Sequence, residues 1–277
     1  MGLGGYLTWT AAIREIAERI TDDVKILTCE GDGKRVTKLI RSPVFENNPN
    51  VYKHGDGPEA FPLFLNNPQA NYCETDTPIK AHHRGDMHII ERVCSFYGIE
   101  DPELKCELHF SKYEKSKIKK LTDSIGGRFV TIEPHSKTNY TVNRAYPFEK
   151  WQRVVDAVSK HIKVVQLGLD SSPLLDNVID FRGKTSFREA ALVIGESEMF
   201  LSAEGGLVHA ATAVDTKSLV IITGYQTEKM VAYPQNININ IANHGPCGLK
   251  ILCKDCEKDA EEHDEQEIVD KVQKFLL

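Results

Sequence analysis

Phe200-Leu201-Ser202-Ala203-Glu204-Gly205-Gly206-Leu207-Val208-His209-Ala210-Ala211 decides the fold. An apolar run that reads as a buried strand ends at a carboxylate, two glycines permit close backbone approach, and an apolar stretch of helical character follows. The first N–H groups of such a helix are unpaired and carry partial positive charge, so the turn can receive phosphate. In an open sheet, ligands bind beyond the carboxyl ends of the strands. Glu204 is then placed to hold sugar or ribose hydroxyls, and His209 to donate to a phosphate oxygen. Alternatively, the same residues form a Gly-Gly turn beside a buried histidine.

The alternation of strand and helix extends on both sides. Downstream, helix Leu207 to Val214 is followed by a strand at Ser218 to Thr223. Upstream come a strand at Met199 to Ser202, a helix from Ser186 to Ile194, a strand at Lys163 to Gly168 and a helix from Trp151 to His161. Further upstream the spacing predicts a strand at Arg128 to Glu133, a helix from Tyr113 to Ser124, a strand near Glu107 to Phe110 and a helix around His88 to Tyr97. The first helix runs from Trp9 to Ile20, with a strand at Val24 to Cys29. Strands alternating with helices build parallel sheets from βαβ units. Pro43 to Cys73 is punctuated by Asn-Pro turns and reads as loops and short strands. The acid-rich run from Glu257 to Glu267 precedes and opens a terminal helix over 264–277, an arrangement that suits the helix dipole. The Lys112 to Lys120 cluster reads as a solvated helix face.

With 277 residues the chain is long enough for two domains, since single cores stop growing at roughly 250 to 300 residues. Its 41% hydrophobic and 27% charged residues are ordinary globular usage, which excludes a disordered or collagen-like chain. A net charge of -6 argues against a broad nucleic-acid-binding surface. No apolar run approaches the roughly 18 residues needed to span a bilayer, and Met1-Gly2-Leu3-Gly4-Gly5 lacks a signal-peptide plan. An intracellular, cytoplasmic protein is expected, at most peripheral to an inner membrane. Seven cysteines are too few for a disulfide scaffold and point to a reducing compartment.

A second loop follows the strand that ends at Glu133, running through Ser136, Lys137 and Thr138 to Arg144-Ala145-Tyr146-Pro147. Hydroxyls with a Lys and an Arg at a strand end suit a diphosphate, because cations neutralise charge developing on a leaving group. A polar loop leading into a helix at Pro147 is the structural alternative.

Taken in order, Gly2 to Glu15, Asn48-Pro49-Asn50-Val51, Arg144 to Trp151, Gly183-Lys184-Thr185-Ser186-Phe187-Arg188-Glu189 and Glu204 to Ala211 resemble glycosyltransferase family 9, the lipopolysaccharide heptosyltransferases. The resemblance implies an α/β protein of GT-B architecture, with two Rossmann-like doubly wound domains facing across a cleft. These would be an acceptor-side domain over 1–106, apparently without its first strand, and a nucleotide-sugar-binding domain over 107–277 that includes a Cys-rich segment at 244–256. The last helix is expected to fold back across the first domain. The implied reaction moves a heptose or related sugar from a nucleotide-diphosphate donor, ADP-linked by the family's habit, to a saccharide or protein acceptor. It proceeds with inversion and requires no cofactor for the chemistry.

Carried over by position, the family's Asp-Ser/Thr-Gly-x-x-His element falls on Glu204, Gly205, Gly206 and His209, and its Lys-x-Trp-Pro element on Arg144, Tyr146 and Pro147. Lys184 and Thr185 would lie near the nucleotide. Gly4, Gly5 and Tyr6 would form the acceptor-side loop. At that loop the family places an aspartate as the base on the acceptor hydroxyl, and this chain has Gly5. General-base help is worth roughly 100- to 10,000-fold, so a substitute is needed, and His83 and Asp86 are the candidates. A chain that kept the sheet and lost the base would instead serve as a binding or assembly protein.

His244, Cys247, Cys253 and Cys256 form a His-x2-Cys-x5-Cys-x2-Cys pattern on a turn-rich segment. Four such ligands suit a structural Zn or Fe, and the alternatives are free thiols or a disulfide. The resemblance extends here, since autotransporter heptosyltransferases carry a structural iron in a similar segment.

Overall fold

The computed structural model describes residues 2–19, 24–53, 55–56, 59–135 and 140–276. The N-terminal part contains α1 (Leu3–Arg19), β1 (Lys25–Gly31), β2 (Val36–Leu39), β3 (Ala60–Phe64), β4 (Cys73–Asp76), β5 (Ala81–His83) and α2 (Ile89–Phe96). β1 pairs in parallel with β3 and antiparallel with β2, and β4 and β5 form a separate antiparallel ribbon. Next come α3 (Lys112–Asp123), β6 (Phe129–Glu133), α4 (Phe148–Val158), β7 (Lys163–Gln166), β8 (Ile179–Asp180) and α5 (Phe187–Gly195). The chain continues through β9 (Phe200–Ala203), α6 (Gly206–Ala213), β10 (Ser218–Ile222), α7 (Glu228–Val231), β11 (Ile237–Asn240), α8 (Lys254–Glu262) and α9 (Gln266–Leu276).

The six later strands form one parallel sheet in the order β11-β10-β9-β6-β7-β8. The order reverses between β6 and β9, the first and fourth strands of the set, which is the nucleotide-binding topology of an open doubly wound sheet. β9 and β10 are buried along their whole length, as central strands covered on both faces must be. Alternate residues feed two apolar layers. Val130, Ile132, Leu201 and Ile221 pack with Trp151, Val154 and Val155 of α4 and with Ile268, Val269 and Val272 of α9. Phe129, Phe200, Val220 and Ile222 face the opposite layer, where Val193 of α5 and Val208 of α6 meet Leu7, Ile13 and Ile16 of α1 and Ile90 of α2. One core therefore joins the N-terminal part to the large sheet.

Capping residues set several helix starts. Ser111 with Glu114 and Ser186 with Glu189 make reciprocal capping boxes that begin α3 and α5. His88 with Glu91 does the same for α2.

Several expectations need correction. α1 begins at Leu3, so Gly4, Gly5 and Tyr6 are its first turn and not a loop. Close packing requires glycine at position 4, since a Cβ there would stand 2.7 Å from the Gly206 Cα. Glu107 to Phe110 is not a strand. Its backbone is satisfied by side chains instead, with the Cys106 N–H donating to Thr212 Oγ1 and the Glu107 N–H to Thr10 Oγ1. The acid-rich run is itself largely helical, in α8. The last helix lies on α4, because its apolar stripe is matched by the valines there, and it does not cross the N-terminal part.

Candidate active site and metal centre

β6 and β9 are neighbours whose chains leave in opposite directions, so a crevice opens at their carboxyl ends. Glu204 follows β9 directly and is only 4% exposed. Its Oε1 lies 3.3 Å from Arg144 Nε, but neither carboxylate oxygen nor that Nε has a hydrogen-bond partner among the described residues. Burial pushes Glu204 up to about 7, against the pull of Arg144 and with a smaller push from Cys247. Arg144 donates from Nη2 to Gln226 Oε1 at 3.3 Å and sits 4.8 Å above the Tyr225 ring.

From the N-terminal part, His83 presents its ring to Tyr225 at 5.1 Å and stacks on Tyr72. Its Nδ1 and the Tyr225 hydroxyl are buried and also lack partners among the described residues. Burial, aided by Arg144, lowers His83 to about 4, so the imidazole is neutral. Both parts of the chain thus send unpaired polar atoms to one place. Buried polar groups are normally paired, and a run of exceptions marks a place for a ligand.

The α6 N-terminus opens on the same side. Gly205 is extended there, and Gly206 lies against Gly4 of α1 and the Phe187 ring at the start of α5. One turn later, His209 Nδ1 is 2.6 Å from the Tyr233 hydroxyl.

The four Cys and His ligand atoms lie within 4.8 Å of one another. Cys256 Sγ is 3.4 Å from both Cys247 Sγ and His244 Nε2, and Cys253 Sγ is 4.0 Å from His244 Nε2. Zinc–thiolate bonds of 2.3 Å at tetrahedral angles place sulfurs about 3.8 Å apart, so the group needs only a small outward adjustment to close on a metal. His244 Nδ1 meets Asp259 Oδ2 at 2.7 Å, a carboxylate partner that fixes a ligating ring. The donor set fits a structural metal. The cysteines are free thiols in this structure.

This segment is tied to the crevice. The Cys247 N–H donates to Gly224 O and the Gly248 N–H to Tyr225 O, while Ala81 and Lys250 exchange backbone bonds across to Gly248 O and Ile79 O.

The sequence model of glycosyltransferase family 9 (heptosyltransferase) matches residues 79–259. This chain belongs to glycosyltransferase family 9. No curated protein matches it. A family 9 glycosyl transferase from Veillonella parvula DSM 2008 superposes with a TM-score of 0.69 at 13% identity, covering 100% of this chain and 94% of that one. The iron-containing dodecameric glycosyltransferase TibC from enterotoxigenic E. coli H10407 gives 0.70 at 13% identity, covering 100% and 75%. E. coli ADP-heptose lps heptosyltransferase II gives 0.52 at 13% identity over 69% and 62%. At such identities these likenesses establish the fold, which is the α/β GT-B architecture.

In this family 9 protein the structure brings Arg144, Glu204, Gly205, Gly206, His209 and His83 to the crevice or its rim. Asp86 pairs with Arg92 at 2.5 Å on the surface, which holds its carboxyl below the usual range. Lys184 donates to Asp180 O at 2.5 Å and Thr185 precedes the Ser186 cap, so the Gly183 to Ser186 turn leads into α5 beside Gly206. Ser136, Lys137 and Thr138 lie outside the described residues.

Sequence reasoning missed Tyr72, Tyr225 and Gln226, which carry no motif. It also missed Glu133, at the end of β6, which burial pushes up to about 8. An acid closing an otherwise apolar central strand was the available signal. Among the described residues no helix is long and apolar enough to cross a membrane.

Proposed function

We propose that this protein transfers a heptose or related sugar from an ADP-linked donor to a saccharide or protein hydroxyl, with inversion and no metal in the chemical step. The observation that carries the reading is Glu204, buried beside Arg144 just before α6, with neither carboxylate oxygen hydrogen-bonded among the described residues. Residues 107–277 would hold the donor and residues 1–106 the acceptor, the reaction taking place in the cytoplasm or against an inner membrane.

Arg144 and Lys137 neutralise the diphosphate, the N–H groups at Gly205 and Gly206 receive its oxygens, and His209 adds a further donor. Lys184 and Thr185 border the nucleotide. Glu204 accepts from sugar or ribose hydroxyls. As the acceptor oxygen bonds to the anomeric carbon, the bond from that carbon to phosphate breaks and the nucleoside diphosphate leaves. The acceptor proton passes to His83, a neutral imidazole that faces Tyr225 and whose basicity the same burial weakens. A metal on His244, Cys247, Cys253 and Cys256 would supply structural cross-linking of the loops that carry Tyr225.

Gly5 favours the second reading, a binding protein without turnover. Titration with ADP, GDP, UDP and CMP, followed by a sugar-transfer assay, separates the two. Of the four, ADP alone is expected to raise the melting temperature of the wild type, with the effect reduced in Glu204→Gln and Arg144→Ala. Binding without transfer to any acceptor would favour the second reading, and no nucleotide response at all would remove both donor-site assignments.

A further inference from the structure

Tyr233 is fully buried, and its hydroxyl lies between two side chains from different parts of the chain, His209 Nδ1 at 2.6 Å and Cys106 Sγ at 3.6 Å. A hydroxyl has one proton to donate, and the shorter contact to a ring nitrogen takes it in preference to a long contact with sulfur. The thiol of Cys106, kept protonated because burial pushes it up to about 11, can then donate to the Tyr233 oxygen. Protons thus run one way, from thiol to phenol to imidazole. His209 is held neutral, since burial lowers it to about 3. A neutral imidazole that accepts at Nδ1 must carry its single proton on Nε2.

The Nε2 edge is the one that matters for the crevice. Cδ2, bonded to Nε2, is the His209 atom nearest a Cβ built on Gly4, at 3.4 Å, which places that edge at the junction of the first turns of α1 and α6. We infer that Tyr233 is a positioning residue that fixes His209 as the Nε2–H tautomer, so that it meets the donor diphosphate as a hydrogen-bond donor. This rests on the donor-site reading above. His88 supports the arrangement by packing its ring against Tyr233 at 4.7 Å. Its own Nδ1 is taken by the Ile90 N–H, so it offers no competing partner for the phenol through that nitrogen.

The test is the nitrogen-15 spectrum of the His209 ring, with ADP affinity measured alongside. In the wild type the proton is expected on Nε2, a result that requires no variant. In Tyr233→Phe, which keeps the ring and loses only the hydroxyl, the signal should shift towards a mixture of tautomers. ADP affinity should fall roughly two- to tenfold, the worth of one hydrogen bond. Cys106→Ser preserves the relay and should change neither, which separates the effect from general damage to the core. A wild-type proton on Nδ1, or a Tyr233→Phe ring still wholly Nε2–H with unchanged affinity, would overturn the inference. If the wild type shows the Nε2–H form but binds no nucleotide, the donor-site reading fails first and the role given to Tyr233 falls with it.

Discussion

Glu204 shows the conflict between stability and site most directly. In the unfolded chain a glutamate titrates near about 4.3, whereas burial pushes Glu204 up to about 7. Between those values the unfolded chain has released its proton while the folded chain still holds it. Stability therefore falls as pH rises through that window and levels off above it. Glu204→Gln removes the penalty. Urea unfolding at about pH 8 should find the variant more stable by about 2 to 4 kcal/mol, with little difference near pH 4. Arg144 pulls against the shift without cancelling it, and Cys247 adds a smaller push in the same direction as burial. The Glu204-Gly205-Gly206 turn was legible in the sequence because strand end, carboxylate and helix start are consecutive. Tyr72, His83 and Tyr225 were not legible as a group, because only the folded chain brings residues so distant in sequence around Arg144.

At the scale of elements, Arg188 holds together pieces that hydrophobic spacing alone does not orient. It is buried at the start of α5 and donates to both oxygens of Glu114 at 2.7 and 3.1 Å, to Pro43 O at 2.9 Å and to His109 O at 2.7 Å. It thereby fixes α3 and the unpaired Glu107 to Phe110 segment against α5. Removing one member of a buried pair leaves the other stranded, so Arg188→Ala should cost about 3 to 5 kcal/mol in a denaturant titration at neutral pH. Glu114 is lowered to about 2, chiefly by its hydrogen bonds with Arg188. Its contribution is complete above the unfolded value near about 4.3 and is lost as pH falls towards about 2. The wild type should lose stability across that acid window, and Arg188→Ala should lose much less. Helices α3, α4 and α5 were legible to within a few residues because their apolar spacing, and the capping boxes of α3 and α5, are local. The 107–110 segment was misread because an alternating pattern cannot reveal whether a neighbouring strand exists to pair with it.

Across the whole molecule, the Cys-rich segment is where the two parts of the chain are sewn together away from their shared core. Its backbone bonds reach Gly224 and Tyr225 on one side and Ile79 and Ala81 on the other. If His244 and the three cysteines hold Zn or Fe, the purified protein should contain about one such ion per chain by elemental analysis, as a four-ligand structural site requires. Stripping it with a strong chelator should then lower the melting temperature and speed amide exchange at both Gly224 to Thr227 and Ala81 to His83. Metal-free protein with unchanged exchange would remove the ion from the account. The sequence supplied the ligand pattern, but the attachment to β5 depended on where the fold placed that ribbon.

The contact of α1 with α6 sets an order on the making of the protein. Leu7, Ile13 and Ile16 share a core cluster with Val208 and Ala210 of α6, which are synthesised roughly two hundred residues after them. Gly4 has no neighbour to fit until Gly206 exists. Until α6 is made, the part of α1 that meets it is therefore uncovered and open to chaperones or to another nascent chain, while the part that meets α2 is covered earlier. Helix α1 thus completes its packing only once α6 has been made.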